Sequence, residues 1–176
     1  MRNPIRGLRG EVRLGLLARK NSDAVRIIRK VVAERLSFLE VDALCDLVEV
    51  VLRNEETKTE GIIIDAGCAL GGSAITLAST KSPERALYVY DVFGMIPSPS
   101  ERDGTDAHER YRVIESGQAV GFEGRRYYGY EIDLFERVRR AFIDFGLDLV
   151  GNRIHLVKGL FQDTMRIESP VRRELS

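Results

Sequence analysis

An excess of charge of one sign is missing from this chain: 27 Lys and Arg stand against 27 Asp and Glu over 176 residues. A net charge of zero removes the electrostatic footprint of a nucleic-acid partner. Cysteine is nearly absent; Cys45 and Cys68 lie far apart, without CxxC spacing, among apolar neighbours. Their placement argues against zinc and for buried thiols in a reducing compartment. No apolar run approaches the roughly 20 residues of a membrane span. The arginine-rich start also lacks the apolar segment of a secretory signal, so a cytoplasmic protein with no membrane span is the expectation. With 44% hydrophobic and 31% charged residues, what remains is one ordinary globular domain, long enough for a sizeable core.

Charge is balanced overall but not locally. Arg2, Arg6, Arg9, Arg13, Arg19, Lys20, Arg26, Arg29 and Lys30 outnumber Glu11 and Asp23 near the start. Such a segment suits a membrane surface or an acidic partner; a solvated helix face or a mobile arm is the plainer reading, and a dimer contact is a further one.

Periodicity divides the rest. Val25, Ile28 and Val32 share a helical face behind Asp23 as N-cap. Val41, Leu44, Leu47, Val48, Val51 and Leu52 form a clearer buried stripe. The polar run "RNEETKTEG" then links a helical cover, residues 1–58, to an α/β core over 59–171. That core opens with a strand from Gly61 to Ala66, whose unbroken Ile62, Ile63 and Ile64 predict cover on both faces. A short helix over Ser73 to Thr80 and a strand from Ala86 to Tyr90 complete a βαβ crossover, which commits the sheet to parallel pairing. From Val92 to Tyr130 periodicity fails amid glycine and proline, predicting a long functional or disordered insert. Helical spacing returns with Leu134, Val138, Ala141, Phe142 and Phe145, stopped by Gly146, and a third strand follows from Ile154 to Val157.

Chemistry concentrates in "IIIDAGCALGGSAI", residues 62–75. The dinucleotide fingerprint GxGxxG needs a second glycine where Ala69 stands, and no GK[ST] follows for a Walker loop. The turn therefore suits a ligand without pyrophosphate. S-adenosylmethionine is one, with a carboxylate, an ammonium, a sulfonium and a ribose diol. Gly67, Gly71 and Gly72 let the backbone approach its methionine end, and the helix start at Ser73 favours the carboxylate. Asp65 faces the ammonium, directly or through water. Asp91, ending the second strand, is placed to accept the ribose hydroxyls. An NAD-dependent oxidoreductase half-domain is the competing enzyme reading, disfavoured by Ala69.

These segments, with "YDVFGMIP", "HERYRVIESGQAVGFEGRRYYGY" and "VKGLFQDTM", resemble the macrocin O-methyltransferase (TylF-type) group of class I S-adenosylmethionine-dependent methyltransferases, from about Gly61 to Val171. The resemblance implies a Rossmann-like fold and methyl transfer to a hydroxyl of a sugar or glycosylated natural product. It supports Asp65, Gly67 and Gly71 at the methionine end and Asp91 at the ribose, and it implies that Phe93, Gln162 and Asp163 lie near the adenine. The insert becomes a lid, with Tyr127, Tyr128 and Tyr130 either packing on a sugar or anchoring the loop to the core. Asp103, Asp106 and His108 stand at spacings a metal uses, though a solvated loop is the simpler reading.

The resemblance also implies a divalent metal, magnesium, held by an Asp-x-Asp-Trp-Tyr-like segment and an Asp-Asp pair; neither segment occurs here. "ESPV" at 168–171 resembles the lead-in to the fourth strand, after which "RRELS", a divergent tail over 172–176, replaces it. The expectation is a truncated chain: the first half of a doubly wound sheet, ordered 3-2-1, with the first strand at an edge. Such a chain is expected to be marginally stable or a homo-oligomer, and catalytically impaired. A catalytically inactive module that keeps cofactor affinity is the non-enzyme alternative.

Overall fold

The computed structural model describes residues 4–121 and 124–165. The "ESPV" run and the 172–176 tail lie outside the described residues. Three helices come first: α1 (Pro4–Ala18), α2 (Ser22–Ala33) and α3 (Val41–Glu56). The α/β part follows as β1 (Ile63–Ala66), α4 (Gly72–Ala78), β2 (Leu87–Asp91), α5 (Thr105–Glu115), α6 (Leu134–Asp144), β3 (Ile154–Lys158) and α7 (Phe161–Thr164). A single 3-10 turn, Tyr128–Tyr130, precedes α6.

The sheet is parallel and ordered β1-β2-β3, as expected. Register sets Asp65 against Val89, and Asp91 against Lys158. All five residues of β2 are buried, as the central strand of a covered sheet requires. β1 departs from the expected cover on both faces: it pairs only with β2 among the described strands, and Ile64 is 47% exposed while Ile63 packs against the core. Burial thus alternates along Ile63–Ala66, while Ile62 packs on a second cluster with Tyr88 and Tyr90.

The principal core joins α1, α2 and α3 to α4 and α6 through Leu17, Ile28, Leu44, Ile75, Val138 and Phe142. The basic start is thereby a packed helix: Leu14 and Leu17 are buried. Arg13 bridges Asp46 at 2.6 Å and Glu49 at 2.9 Å on α3, and Arg29 pairs with Glu11. Those pairs hold the Arg13 guanidinium charged, raising its pKa. Two details of α2 and α4 differ from the periodicity reading. Asn21, not Asp23, caps α2, its side chain accepting from the Ala24 amide at 2.9 Å, because the helix begins at Ser22. α4 begins at Gly72, one residue before the expected Ser73.

The largest correction concerns the insert. Residues 105–115 form α5, a helix the sequence pattern did not reveal because Ile114 is its one buried residue. With Ala119 and Tyr127 it forms a small separate core. Beneath the sheet, Arg85 on the α4–β2 connection ties α3 to β2, its guanidinium donating to Glu55 at 2.5 Å and to the Thr59 carbonyl at 2.8 Å. Lys81, buried there, donates to the Asn152 carbonyl at 2.6 Å; desolvation pushes its pKa down to about 8.

Candidate cofactor site

The site sits at the carboxyl ends of β1 and β2, where open α/β sheets hold their ligands. After β1 the chain turns through Gly67 at φ +88°, Ala69 at +51° and Gly71 at +89°. Glycine suits two of these left-handed positions; Ala69 adopts the third at a steric cost. The Gly67 amide donates to the Tyr90 carbonyl at 2.7 Å, tying the turn to β2.

Gly72 does a different job. A Cβ there would lie 2.6 Å from the Leu36 carbonyl oxygen, and its amide already donates to that oxygen at 3.0 Å. The structure therefore places Gly72 against the α2–α3 loop. Gly72→Ala is expected to destabilise the chain by about 1–3 kcal/mol through overpacking. A urea melt reads this directly; an unchanged midpoint would mean that the loop simply yields.

Asp65 is half-buried and accepts the Ser73 hydroxyl at 2.7 Å. Burial raises its pKa, Ser73 opposes that rise, and repulsion from Asp91 adds to it. Asp91 is 6% exposed, its two carboxylate oxygens taken by backbone amides: Oδ2 accepts from Ala69 at 2.9 Å and Oδ1 from Phe93 at 2.8 Å. Cys68, buried in the same turn, has its thiol pKa pushed up by burial, which leaves it inert. Both cysteines are free and buried, in line with the sequence reading.

A cavity of about 250 Å³ opens over these strand ends. Gly67, Asp91 and Gln162 supply its polar wall, and Val92, Ile96, Pro97, Leu160 and Phe161 its apolar wall. Three of the residues expected at the site thus converge. Phe93 does not: it is 1% exposed, packed edge-on against Phe135 at 5.0 Å, and belongs to the principal core. Its backbone is left-handed, at φ +46°. Asp163 sits in the first turn of α7 and Gly71 against Val138, both outside the cavity lining. Leu160 and Phe161 carry no distinctive pattern and were legible only as part of the "GLFQDT" run.

The three tyrosines divide. Tyr130 pins the insert, its hydroxyl donating to the Ile114 carbonyl at 2.5 Å and accepting from the Ala119 amide at 3.1 Å. Tyr127 is buried beside it. Tyr128 instead lines the cavity and packs against Phe38 and Tyr127. Removing the Tyr130 hydroxyl (Tyr130→Phe) leaves both backbone groups without that partner, at a cost of about 1–3 kcal/mol. Faster proteolytic cleavage between residues 92 and 130 is the expected result, and an unchanged cleavage rate would show that the hydroxyl holds nothing.

Asp103 accepts from the Ser100 amide and hydroxyl at 2.7 and 2.8 Å, and His108 Nε2 lies 3.1 Å from the Ser100 carbonyl. Among the described residues no three His, Cys, Asp or Glu side chains converge as a metal would need. A larger groove of about 820 Å³ is lined by Glu34, Glu131, Arg137 and Arg140, with Arg126 and Tyr130 of the insert, and contains none of the glycine-turn residues. No described helix is long and apolar enough to cross a membrane.

The solved structure of the O-methyltransferase NovP aligns with a TM-score of 0.59 at 19% identity, over 77% of this chain and 51% of that one. The chain therefore spans about half the length of that structure, and the likeness establishes a shared fold, the partial Rossmann-like α/β fold of a methyltransferase. No curated protein matches the sequence. The family model for macrocin-O-methyltransferase (TylF) matches residues 39–172, from just before α3 and over more than half of the sequence. The chain belongs to the macrocin-O-methyltransferase (TylF) family.

Proposed function

We propose that this chain is the cofactor-binding part of an S-adenosylmethionine-dependent O-methyltransferase whose acceptor is a hydroxyl of a sugar or glycosylated natural product. The observation that carries the proposal is the convergence of Gly67, Asp91 and Gln162 on one cavity at the ends of β1 and β2. Family membership and the methyltransferase fold support it.

The residues present fit the cofactor. Asp65, a half-buried carboxylate held by Ser73, is suited to the ammonium group, whose charge offsets the cost of its partial burial. Gly67 leaves its side open, as no atom lies within 4 Å of where a Cβ would stand. The apolar wall of Leu160, Phe161, Ile96 and Pro97 suits a flat base, with Gln162 as a polar contact. Bound there, the cofactor supplies an electrophilic methyl on a sulfonium. What these residues do for that chemistry is bind and orient it, so that an acceptor oxygen meets the methyl in line. Tyr128, half-buried over the cavity, is placed to keep water from it.

The divalent metal implied by the family finds no fit among the described residues.

Ultraviolet cross-linking of radiolabelled S-adenosylmethionine tests the assignment. Label on peptides spanning Asp65–Ser73 and Leu160–Asp163, displaced by S-adenosylhomocysteine and not by NAD, is the expected result. Label confined to other peptides would overturn it.

A further inference from the structure

Beyond that reading, and resting on it, we infer that the large groove beside the insert is a second binding site, which takes a neutral glycosyl portion of the acceptor away from the hydroxyl that is methylated. The cavity at the strand ends holds about 250 Å³, all of it lined by residues suited to the cofactor, whereas the groove offers about 820 Å³. The two spaces share a wall. Tyr128 lines the cavity, and Arg126 and Tyr130, which flank it in the chain, line the groove. Leu36, also in the groove, is the residue whose carbonyl accepts the Gly72 amide at the glycine turn.

The charges decide the class of ligand. Five carboxylates and three guanidiniums line the groove. Some already have partners: Arg137 pairs with Glu131, Glu136 with Arg139 at 2.8 Å, and Glu34 lies 3.7 Å from Lys30. Among the described residues the side chains of Arg140, Asp133 and Asp144 have none, and the Arg126 guanidinium meets only the Tyr130 ring, at 5.7 Å. An anion is repelled by the free carboxylates and a cation by the free guanidiniums. Sugar hydroxyls meet neither obstacle, because each can donate to a carboxylate and accept from a guanidinium. Leu36, Ile132 and the Tyr130 ring add apolar surface for the C–H faces of a sugar. That ring is held before any ligand arrives: its hydroxyl is engaged by Ile114 and Ala119, and Tyr127 packs edge-on against it at 5.2 Å. The groove is preorganised to that extent.

The test is a printed array of neutral and anionic di- to tetrasaccharides, probed with the full chain and with its Arg140→Gln and Asp144→Asn variants. Both side chains are exposed and have no partner to lose, so both variants are expected to fold as the wild type does. Retention of the wild type on neutral glycans, weakened about fivefold or more by each substitution, is the expected result. A charged ligand cannot give that pattern, since an anion would bind Asp144→Asn more tightly and a cation Arg140→Gln. Wild-type chain retained on no neutral glycan, or retention that either substitution leaves unchanged or strengthens, would overturn the inference.

Calorimetric titration of the same three proteins with S-adenosylmethionine separates the groove from the cofactor cavity. Affinities equal within about twofold are expected, because neither residue lines that cavity. Cofactor affinity falling in step with glycan retention would overturn the inference of a separate site. Wild-type chain that is retained on neutral glycans and does not bind S-adenosylmethionine would instead count against the cofactor reading and leave the groove's assignment standing.

Discussion

Replacing Phe93 by alanine is expected to lower stability by about 3–5 kcal/mol. The ring is 1% exposed and packs edge-on against Phe135 within the principal core, so its loss leaves a cavity beside β2. A domain of this kind is stable by only about 5–15 kcal/mol, so the variant is expected to be partly unfolded near body temperature. Phe93→Leu separates packing from ligand contact. It keeps most of the apolar volume, costs less than about 1.5 kcal/mol, and is expected to leave cofactor affinity within about twofold, because the ring does not line the cavity. Thermal melts and titration of the same samples check both statements. Near-native stability with lost affinity in Phe93→Leu would place the ring against the adenine after all.

Asp65→Asn is expected to act in the opposite sense on the free protein. Burial raises the pKa of this carboxylate, so the folded state binds its proton more readily than the unfolded chain does. Its contribution to stability is then fullest below the ordinary aspartate range and is lost as pH rises through the elevated folded value. Near neutral pH the ionised group is a cost in the empty site, increased by repulsion from Asp91 and relieved in part by Ser73. Asparagine can still accept the Ser73 hydroxyl and carries no charge. The ligand-free variant is therefore expected to melt at a higher temperature than the wild type at pH 7, with a weaker pH dependence. Affinity for S-adenosylmethionine is expected to fall by about ten- to a hundredfold, the scale of a lost charge-assisted hydrogen bond. Stability and affinity falling together would mean that Asp65 serves the fold rather than the ammonium.

Much of the architecture is legible in the sequence because it rests on periodicity. The stripes on α3 and α6, the three short apolar runs and the glycine turn give the helices, the parallel sheet and its order. Gly67 and Gly71 are legible as left-handed turn positions, both found at positive φ. What stays hidden depends on contacts between distant segments. The packing of Gly72 on the Leu36 carbonyl, 2.6 Å from where a Cβ would stand, leaves no mark in the local pattern. α5 has no apolar stripe to reveal it, since Ile114 is its one buried residue. Phe93 follows a strand-end acid in a loop, and its burial in the principal core depends on Phe135, far along the chain. The double engagement of Asp91 is the clearest case. No pattern in one dimension shows that Ala69 and Phe93 both need an acceptor, nor that the same carboxylate meets them.

The cofactor proposed for this site is a nucleoside without pyrophosphate. Calorimetric titration of the full chain with S-adenosylmethionine and, separately, with NAD tests it most directly. Saturable binding of S-adenosylmethionine with one site per chain, and no heat of binding from NAD at the same concentrations, is the predicted result. Tight binding of NAD with no response to S-adenosylmethionine would contradict it.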